Sequence, residues 1–278
     1  MFKPNAKIIA DSISPSGKRL TTLCVEFHRF VLAELNTHRV FSRNSASSRA
    51  IPFKKMMQKA YENTAFPVSW PTEQRGMQGG AELDSDTAER AKLEWEWARD
   101  EAINSALKLH ELGVHKSVVN RLLEPFISHK AIISSTEFTG FFEQRLHPDA
   151  QPEIHQLAIA MKAAMDESEP TALGWDDWHM PYAPEHDEVI QSLWQNRFDS
   201  PTEAMMAVSV ARCARVSYET HDGIRDVEKD YDLYFRLKDH KPAHASPFEH
   251  VARPTIPGTL SFPGNFVGWE QLRGVLGL

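Results

Sequence analysis

The sequence predicts an α+β fold, and two observations predict it. Strand-like apolar stretches occur near the start of the chain and again around residues 127–142, while the longest periodic segments, 84–112 and 151–165, have helical spacing. In chain order, Lys7–Asp11 reads as a short strand and residues 14–17 as a turn. The run Thr22–Leu35 is mostly apolar and reads as a strand leading into a short helix. After Ile51-Pro52, Phe53–Tyr61 has the pattern of a short amphipathic helix, and the Pro/Gly-rich residues 62–85 read as an excursion long enough to be functional or mobile. Asp84 or Ser85 is placed to cap a helix running to about Leu112, with Ala91, Trp95, Ala98, Ala102, Ala106 and Leu109 on its buried face and Gly113 at its end. A second helical stretch from Ser117 is expected to stop by Pro125. Ile127–Phe142 mixes β-branched and aromatic residues. Gln151–Met165 then reads as a helix with Ile154, Leu157, Ala158, Met161 and Met165 in one stripe. Residues 166–186 read as an acidic surface loop, and Pro201–Tyr218 as a helix with Thr202 as its cap and Ala204, Met205, Val208 and Ala211 inward. Asp230–Lys238 is one more helix, before a Gly/Pro-rich tail with Phe262, Phe266 and Trp269.

Composition removes several function classes. With 278 residues, 41% hydrophobic and 25% charged, the chain has the makeup of an ordinary globular protein with a substantial core. A net charge of -7 disfavours a general nucleic-acid binder. No apolar run approaches the length of about eighteen residues that a membrane span needs. The first residues lack the apolar core of a signal peptide, which argues for the cytoplasm. Cys24 and Cys213 sit in apolar contexts and read as reduced, structural thiols. His244, Glu249 and His250 lie close in sequence, but neither the HExxH spacing nor a CxxC pair is present, so no metal is expected. The GxSxG, GxGxxG and GxxxxGKS motifs are also absent. Any nucleotide or flavin must therefore be held by arginine and serine side chains.

The segment Asn36–Arg49 offers such side chains. It holds three arginines, Arg39, Arg43 and Arg49, with His38 and four serines. Guanidinium forks and short hydroxyls suit an anionic ligand; the alternative is a polar loop whose arginines face water. Two further polar clusters lie on apolar scaffolds, at 120–155 and at 215–250.

Taken together the three segments resemble the flavin-dependent thymidylate synthases. That family's signature is Arg-His-Arg, two residues, Ser, one residue, Asn-Glu, one residue, Ser, one residue, Arg. His38, Arg39, Ser42, Asn44, Ser47 and Arg49 match it, while Thr37 replaces the first arginine and Ser45 the glutamate. His244-Ala-Ser-Pro-Phe-Glu-His250, preceded by Ala214-Arg-Val-Ser217, is similar to the family's N-terminal His-x-Ser/Thr-Pro-Phe-Glu-His block. Arg121-Leu-Leu-Glu-Pro125, and Arg145 followed by Ala150-Gln-Pro-Glu-Ile154, resemble its C-terminal blocks. The order differs from the family's, so the chain resembles a circular permutant, a rearrangement tolerated where termini lie together at the surface.

The resemblance implies an antiparallel sheet with long helices, one domain over residues 1–278, and an insertion at about 53–110. It implies synthesis of dTMP from dUMP, with the carbon from methylenetetrahydrofolate and the hydride from FAD reduced by NADPH. Arg145 then stabilises negative charge on the pyrimidine, and Arg121 contacts the phosphate. Glu34, Ser47, Ser48 and Arg49 close on the nucleotide, and His38, Arg39, Ser217, His244, Ser246 and Glu249 bind FAD. A homotetramer with shared sites is expected. Glu34 stands where the family has glutamine, and an acceptor-only carboxylate favours an amino-bearing base. Two alternatives therefore stand beside the dUMP reading: methyl or hydroxymethyl transfer to dUMP or dCMP for modified DNA bases, and a non-catalytic flavin- or nucleotide-binding homologue.

Overall fold

A computed structural model describes residues 2–183, 194–217, 226–261 and 263–278. Two antiparallel strands, β1 (Asn5–Ile13) and β2 (Arg19–His28), form a hairpin whose turn is closed by Ser14 N donating to Lys18 O at 2.9 Å. Gly17 takes φ +75° there, a left-handed value that glycine adopts freely. β2 runs through a 3-10 turn into α1 (Leu32–Asn36), the strand-to-short-helix passage its apolar run predicts.

The arginine–serine segment is not all loop. Ser42–Ser45 forms β3, paired antiparallel with β4 (Ser128–Ser135). The sheet order is β3-β4-β2-β1-β5, antiparallel throughout except for the two-residue β5 (Thr171–Ala172), which pairs parallel to β1. The fold class is the predicted one.

Alternation along β2 divides the sheet into two faces. Leu23, Val25 and Phe27 point into the main core with Ala131 and Ile133 of β4. That face is covered by α5 (Thr139–Arg145) and α6 (Pro152–Asp166), whose Phe141, Ile154, Leu157, Ala158 and Met161 are buried against it. Burying each of the larger of these side chains contributes about 1.5–3 kcal/mol. The stretch ending at Phe142 therefore splits, with strand to Ser135 and helix from Thr139, because Phe138, Phe141 and Phe142 reach the core at helical spacing.

The opposite face carries Thr22, Cys24, Glu26 and His28. At one end α2 (Phe53–Glu62) brings Lys59 within 3.3 Å of Glu26, and His28 Nε2 lies 2.8 Å from Phe66 O. α2 packs with α3 (Ser85–Glu111), which Asp84 caps by accepting from Thr87 N at 3.0 Å. Of its predicted inner stripe only Ala106 is buried; Trp95, Ala98, Ala102 and Leu109 pack half-buried on the cluster, Ala91 stands outside it, and Arg99 and Ile103 are buried as well. Arg99 donates to Thr64 Oγ1 at 2.8 Å. The next helical stretch does not stop at Pro125: α4 (Lys116–Val119) continues as a 3-10 segment over Asn120–Phe126 with that proline inside.

At the other end of this face lie residues from the second half of the chain. His179, expected in a surface loop, is buried, with Nδ1 2.9 Å from Ser12 Oγ and Nε2 2.7 Å from Thr22 Oγ1. Thr22 and Ser134 hydroxyls lie 2.6 Å apart, and Ser134 Oγ is 2.8 Å from His250 Nδ1. α7 (Pro201–Ala214) is capped by Ser200 rather than Thr202 and packs on α8 (Val227–Asp239). The tail folds back as β6 (Ala252–Pro254) and β7 (Trp269–Gln271), burying Phe266 and Trp269, before a final turn, α9 (Leu272–Val275). Tyr218 and Phe262 lie outside the described residues. Among the described residues no helix is long and apolar enough to cross a membrane.

Candidate functional site

Three polar groups surround the segment from α1 to β3. In the first, Leu35 and Phe41 are buried and hold the intervening turn, which closes through His38 N to Leu35 O and Phe41 N to His38 O, both 3.2 Å. His38 consequently points inward, edge-on to Phe141 at 4.9 Å, while Arg39 is exposed. Arg145 ends α5, where a cation complements the helix dipole. Its Nε donates to His38 Nε2 at 2.9 Å, and its Nη2 reaches Thr37 Oγ1 at 3.3 Å and Glu34 O at 3.5 Å. Accepting at Nε2 requires a neutral ring. Burial, then the Arg145 and Arg43 charges, hold the His38 pKa down to about 4.

Two valences remain open here. Arg145 Nη1 has no hydrogen bond among the described residues, and Glu34 Oε2 is buried without a partner. An unsatisfied buried acceptor costs about 1–3 kcal/mol, so a ligand donor at Glu34 would relieve it.

Arg43 departs from the expected anion grip. Its Nη1 lies within 3.1–3.4 Å of the carbonyls of Leu35, Asn36 and His38, so that nitrogen fastens the end of α1. Burial lowers its pKa, partly opposed by Glu249.

The second group centres on Glu124, which the sequence reading did not single out. Its Oε1 accepts from Ser48 Oγ at 2.6 Å, Arg121 Nη1 at 2.7 Å and Arg29 Nη2 at 3.4 Å. Ser48 is buried, and its only hydroxyl proton is given to this carboxylate. Arg49 is exposed, and Asn120 supports the strand-to-helix passage by donating to Ser48 O and Ile51 O.

The third group comes from residues 244–249. Ser246 and His244 are exposed, with the His244 ring 4.5 Å from that of His240. Glu249 is not open: Arg273 Nη1 donates to it. Gln271 joins this segment to β3, its Nε2 3.0 Å from both Ser42 Oγ and Glu249 O. Asn44 Nδ2 donates to Cys213 O at 3.1 Å. The side chain of Ser217 lies outside the described residues.

The structure therefore brings Glu34, His38 and Arg145 together, joins Ser48 to Arg121 through Glu124, and seats Glu249 against β3. Arg39, Arg49, His244 and Ser246 stand on the surface. The sequence reading missed Glu124, Gln271 and Arg273; only Glu124, three residues beyond Arg121, carries a local signal for its ion pair. Arg39, His244 and Ser246 are each exposed, and each is a donor of the kind that the phosphates and ribose of a dinucleotide such as FAD would need. Among the described residues, no three His, Cys, Asp or Glu side chains converge as metal ligands would. Burial pushes the Cys213 thiol pKa up, away from nucleophilic use. A cavity of about 640 Å³ lies elsewhere, between the start of β1 and the α2–α3 pair, and is lined by none of the residues of these three groups.

The model of the family described as thymidylate synthase complementing protein matches residues 15–171. Comparison with curated proteins gives no match. Among solved structures, the chain is similar to a UMP/dUMP methylase, PolB, from Streptomyces cacaoi. In its complex with 5-Br dUMP the identity is 15% and the TM-score 0.48, over 60% of this chain and 91% of that one. With 5-Br UMP the values are 13% and 0.47, over 60% and 90%.

Proposed function

From the premise that this chain belongs to the thymidylate synthase complementing protein family, we propose that it transfers a one-carbon unit from methylenetetrahydrofolate to C5 of dUMP, giving dTMP. FAD reduced by NADPH supplies the hydride when bound. The observation that carries the reading is the Arg145 guanidinium, fixed by neutral His38 with Nη1 unengaged among the described residues. A cation oriented before the reaction stabilises anionic charge on the pyrimidine ring, which makes C5 nucleophilic, and a guanidinium keeps its charge at any working pH. Arg121 takes the phosphate, with Ser47 and Arg49 beside it. Ser48 serves from behind, through Glu124. Arg39, His244 and Ser246 hold the flavin, with Ser217 and Glu249 near it.

Arg39, Arg49, His244 and Ser246 are exposed, and the homotetramer with shared sites expected of the family would cover them. The segment 244–250 lies beyond the family match yet packs on β3 through Gln271, in keeping with a permuted order within one domain. The α2–α3 pair, with its own apolar cluster, fits the role of an insertion.

Glu34 favours a second reading. Its unpartnered oxygen can accept from the exocyclic amine of cytosine, which points to methyl or hydroxymethyl transfer to dCMP. An anaerobic assay with FAD, NADPH and methylenetetrahydrofolate, offering dUMP and dCMP separately and weighing the products, decides between them. dTMP from dUMP supports the first reading, a product only from dCMP or a hydroxymethyl product supports the second, and no product from either removes both.

A further inference from the structure

We infer that Glu124 is a positioning residue that aims Arg121 at the nucleotide's phosphate; the inference rests on the phosphate role proposed above for Arg121. One carboxylate oxygen, Oε1, gathers Ser48 Oγ at 2.6 Å, Arg121 Nη1 at 2.7 Å and Arg29 Nη2 at 3.4 Å. The three donors are not equivalent. Ser48 is 5% exposed and the Arg29 side chain 16%, whereas the Arg121 side chain is 49% exposed.

Ser48 and Arg29 are themselves fixed. Asn120, wholly buried, donates to Ser48 O at 2.7 Å, and Arg29 Nη1 lies 3.2 Å from His129 Nδ1. Glu124 is thus anchored from the interior and holds the surface arginine from behind. A guanidinium has five N–H donors, and Glu124 occupies one of Arg121's. Among the described residues no other hydrogen bond of the Arg121 side chain occurs, which leaves the rest of the fork for a phosphate, in the planar geometry that permits two parallel bonds. Arg29 and Arg121 together outweigh the single Glu124 charge, so the cluster remains cationic toward a dianion.

Without Glu124, Arg121 regains its rotamers, and ordering it becomes part of the binding cost. Ser48 and Arg29 do not touch the phosphate directly in this arrangement.

The test is titration calorimetry of full-length protein with dUMP and, separately, deoxyuridine, for wild type, Glu124→Ala and Glu124→Gln. The expected result is that Glu124→Ala weakens dUMP binding about tenfold, or ~1.4 kcal/mol, and leaves deoxyuridine binding unchanged. Glu124→Gln, which keeps an acceptor for Ser48 and Arg121, should recover part of the loss. Equal losses for both ligands, or no loss for dUMP while wild type still prefers dUMP to deoxyuridine, overturns the positioning role and leaves the proposed function standing. A wild type with no preference for dUMP overturns the phosphate assignment of Arg121, and the inference with it. Should the alanine variant fail to fold, the glutamine variant decides: a dUMP-specific loss supports the role and an unchanged dUMP affinity refutes it.

Discussion

His38 and Arg145 are coupled by one hydrogen bond, and each defines the state of the other. Burial is the larger cause of the depressed His38 pKa and the Arg145 charge the next. Replacing Arg145 with alanine should raise the His38 pKa from about 4 toward, but not to, its ordinary value, because the burial remains. An NMR titration of the ring protons reads this directly, and an unmoved pKa contradicts the coupling. The same variant should retain bound flavin and lose turnover. Glu34 calls for a separate test: Glu34→Gln supplies an amide that both donates and accepts, and should shift preference from dCMP toward dUMP, read as the ratio of kcat/KM values. An unchanged ratio would mean that the open carboxylate oxygen does not face the base. At this scale the sequence shows which groups are chemically capable but not which are already engaged. Arg39 and Arg43 look alike in a motif, yet one is exposed and the other is half-buried and commits its Nη1 to three backbone carbonyls. Ser48 likewise lies inside the signature, at a variable position, while its proton is committed to a glutamate 76 residues away in sequence.

Among the elements, those with a local pattern, the strands β1 and β2 included, were legible, and β3, which only its pairing makes, was not. α3 announces itself through a capping aspartate, a sustained apolar stripe and a terminal glycine with φ +81°. β3 is Ser-Arg-Asn-Ser, with no strand propensity of its own, and exists because β4 offers it a ladder. His179 was missed for a related reason, since its partners Ser12 and Thr22 are more than 150 residues away. The join between β3 and the 244–250 segment rests heavily on Gln271, whose amide spans Ser42 Oγ and Glu249 O from a buried position. Gln271→Ala removes both bonds and leaves their acceptors without that donor, at a cost of about 1–3 kcal/mol. The consequence should appear as a lower Tm, accompanied by weaker flavin retention if residues 244–249 form part of the flavin site. A variant that loses stability but keeps flavin fully would separate the join from the cofactor.

Across the whole molecule, neutral imidazoles make the fold sensitive to acid. Burial holds His129, His179 and His250 down to about 3, with Arg29 and Lys59 adding to the effect at His129 and His179 adding to it at His250; His38 is held to about 4. An imidazole in the unfolded chain titrates near its ordinary value of about 6.5. Between that pH and the folded values the unfolded chain binds more protons than the folded one. The stabilisation from each neutral ring is therefore complete above about pH 6.5 and is lost as pH falls toward 3, at up to ~1.4 kcal/mol per pH unit for each ring. Glu26 acts in the same direction at lower pH: its pKa is depressed although burial, the largest influence, opposes the shift, because Ser128 and Lys59 favour the ionised form. The urea midpoint should hold steady from pH 8 to 7 and fall steeply between pH 6 and 4.5. His250→Asn should flatten that fall in its early part, because it removes one of the depressed rings, a set to which burial also adds His28, and the asparagine amide can keep a hydrogen bond to Ser134 without titrating. A midpoint that does not change down to pH 4.5 would mean that these rings are protonated in the folded state, and with it the neutral acceptor at His38 that orients Arg145 would be lost.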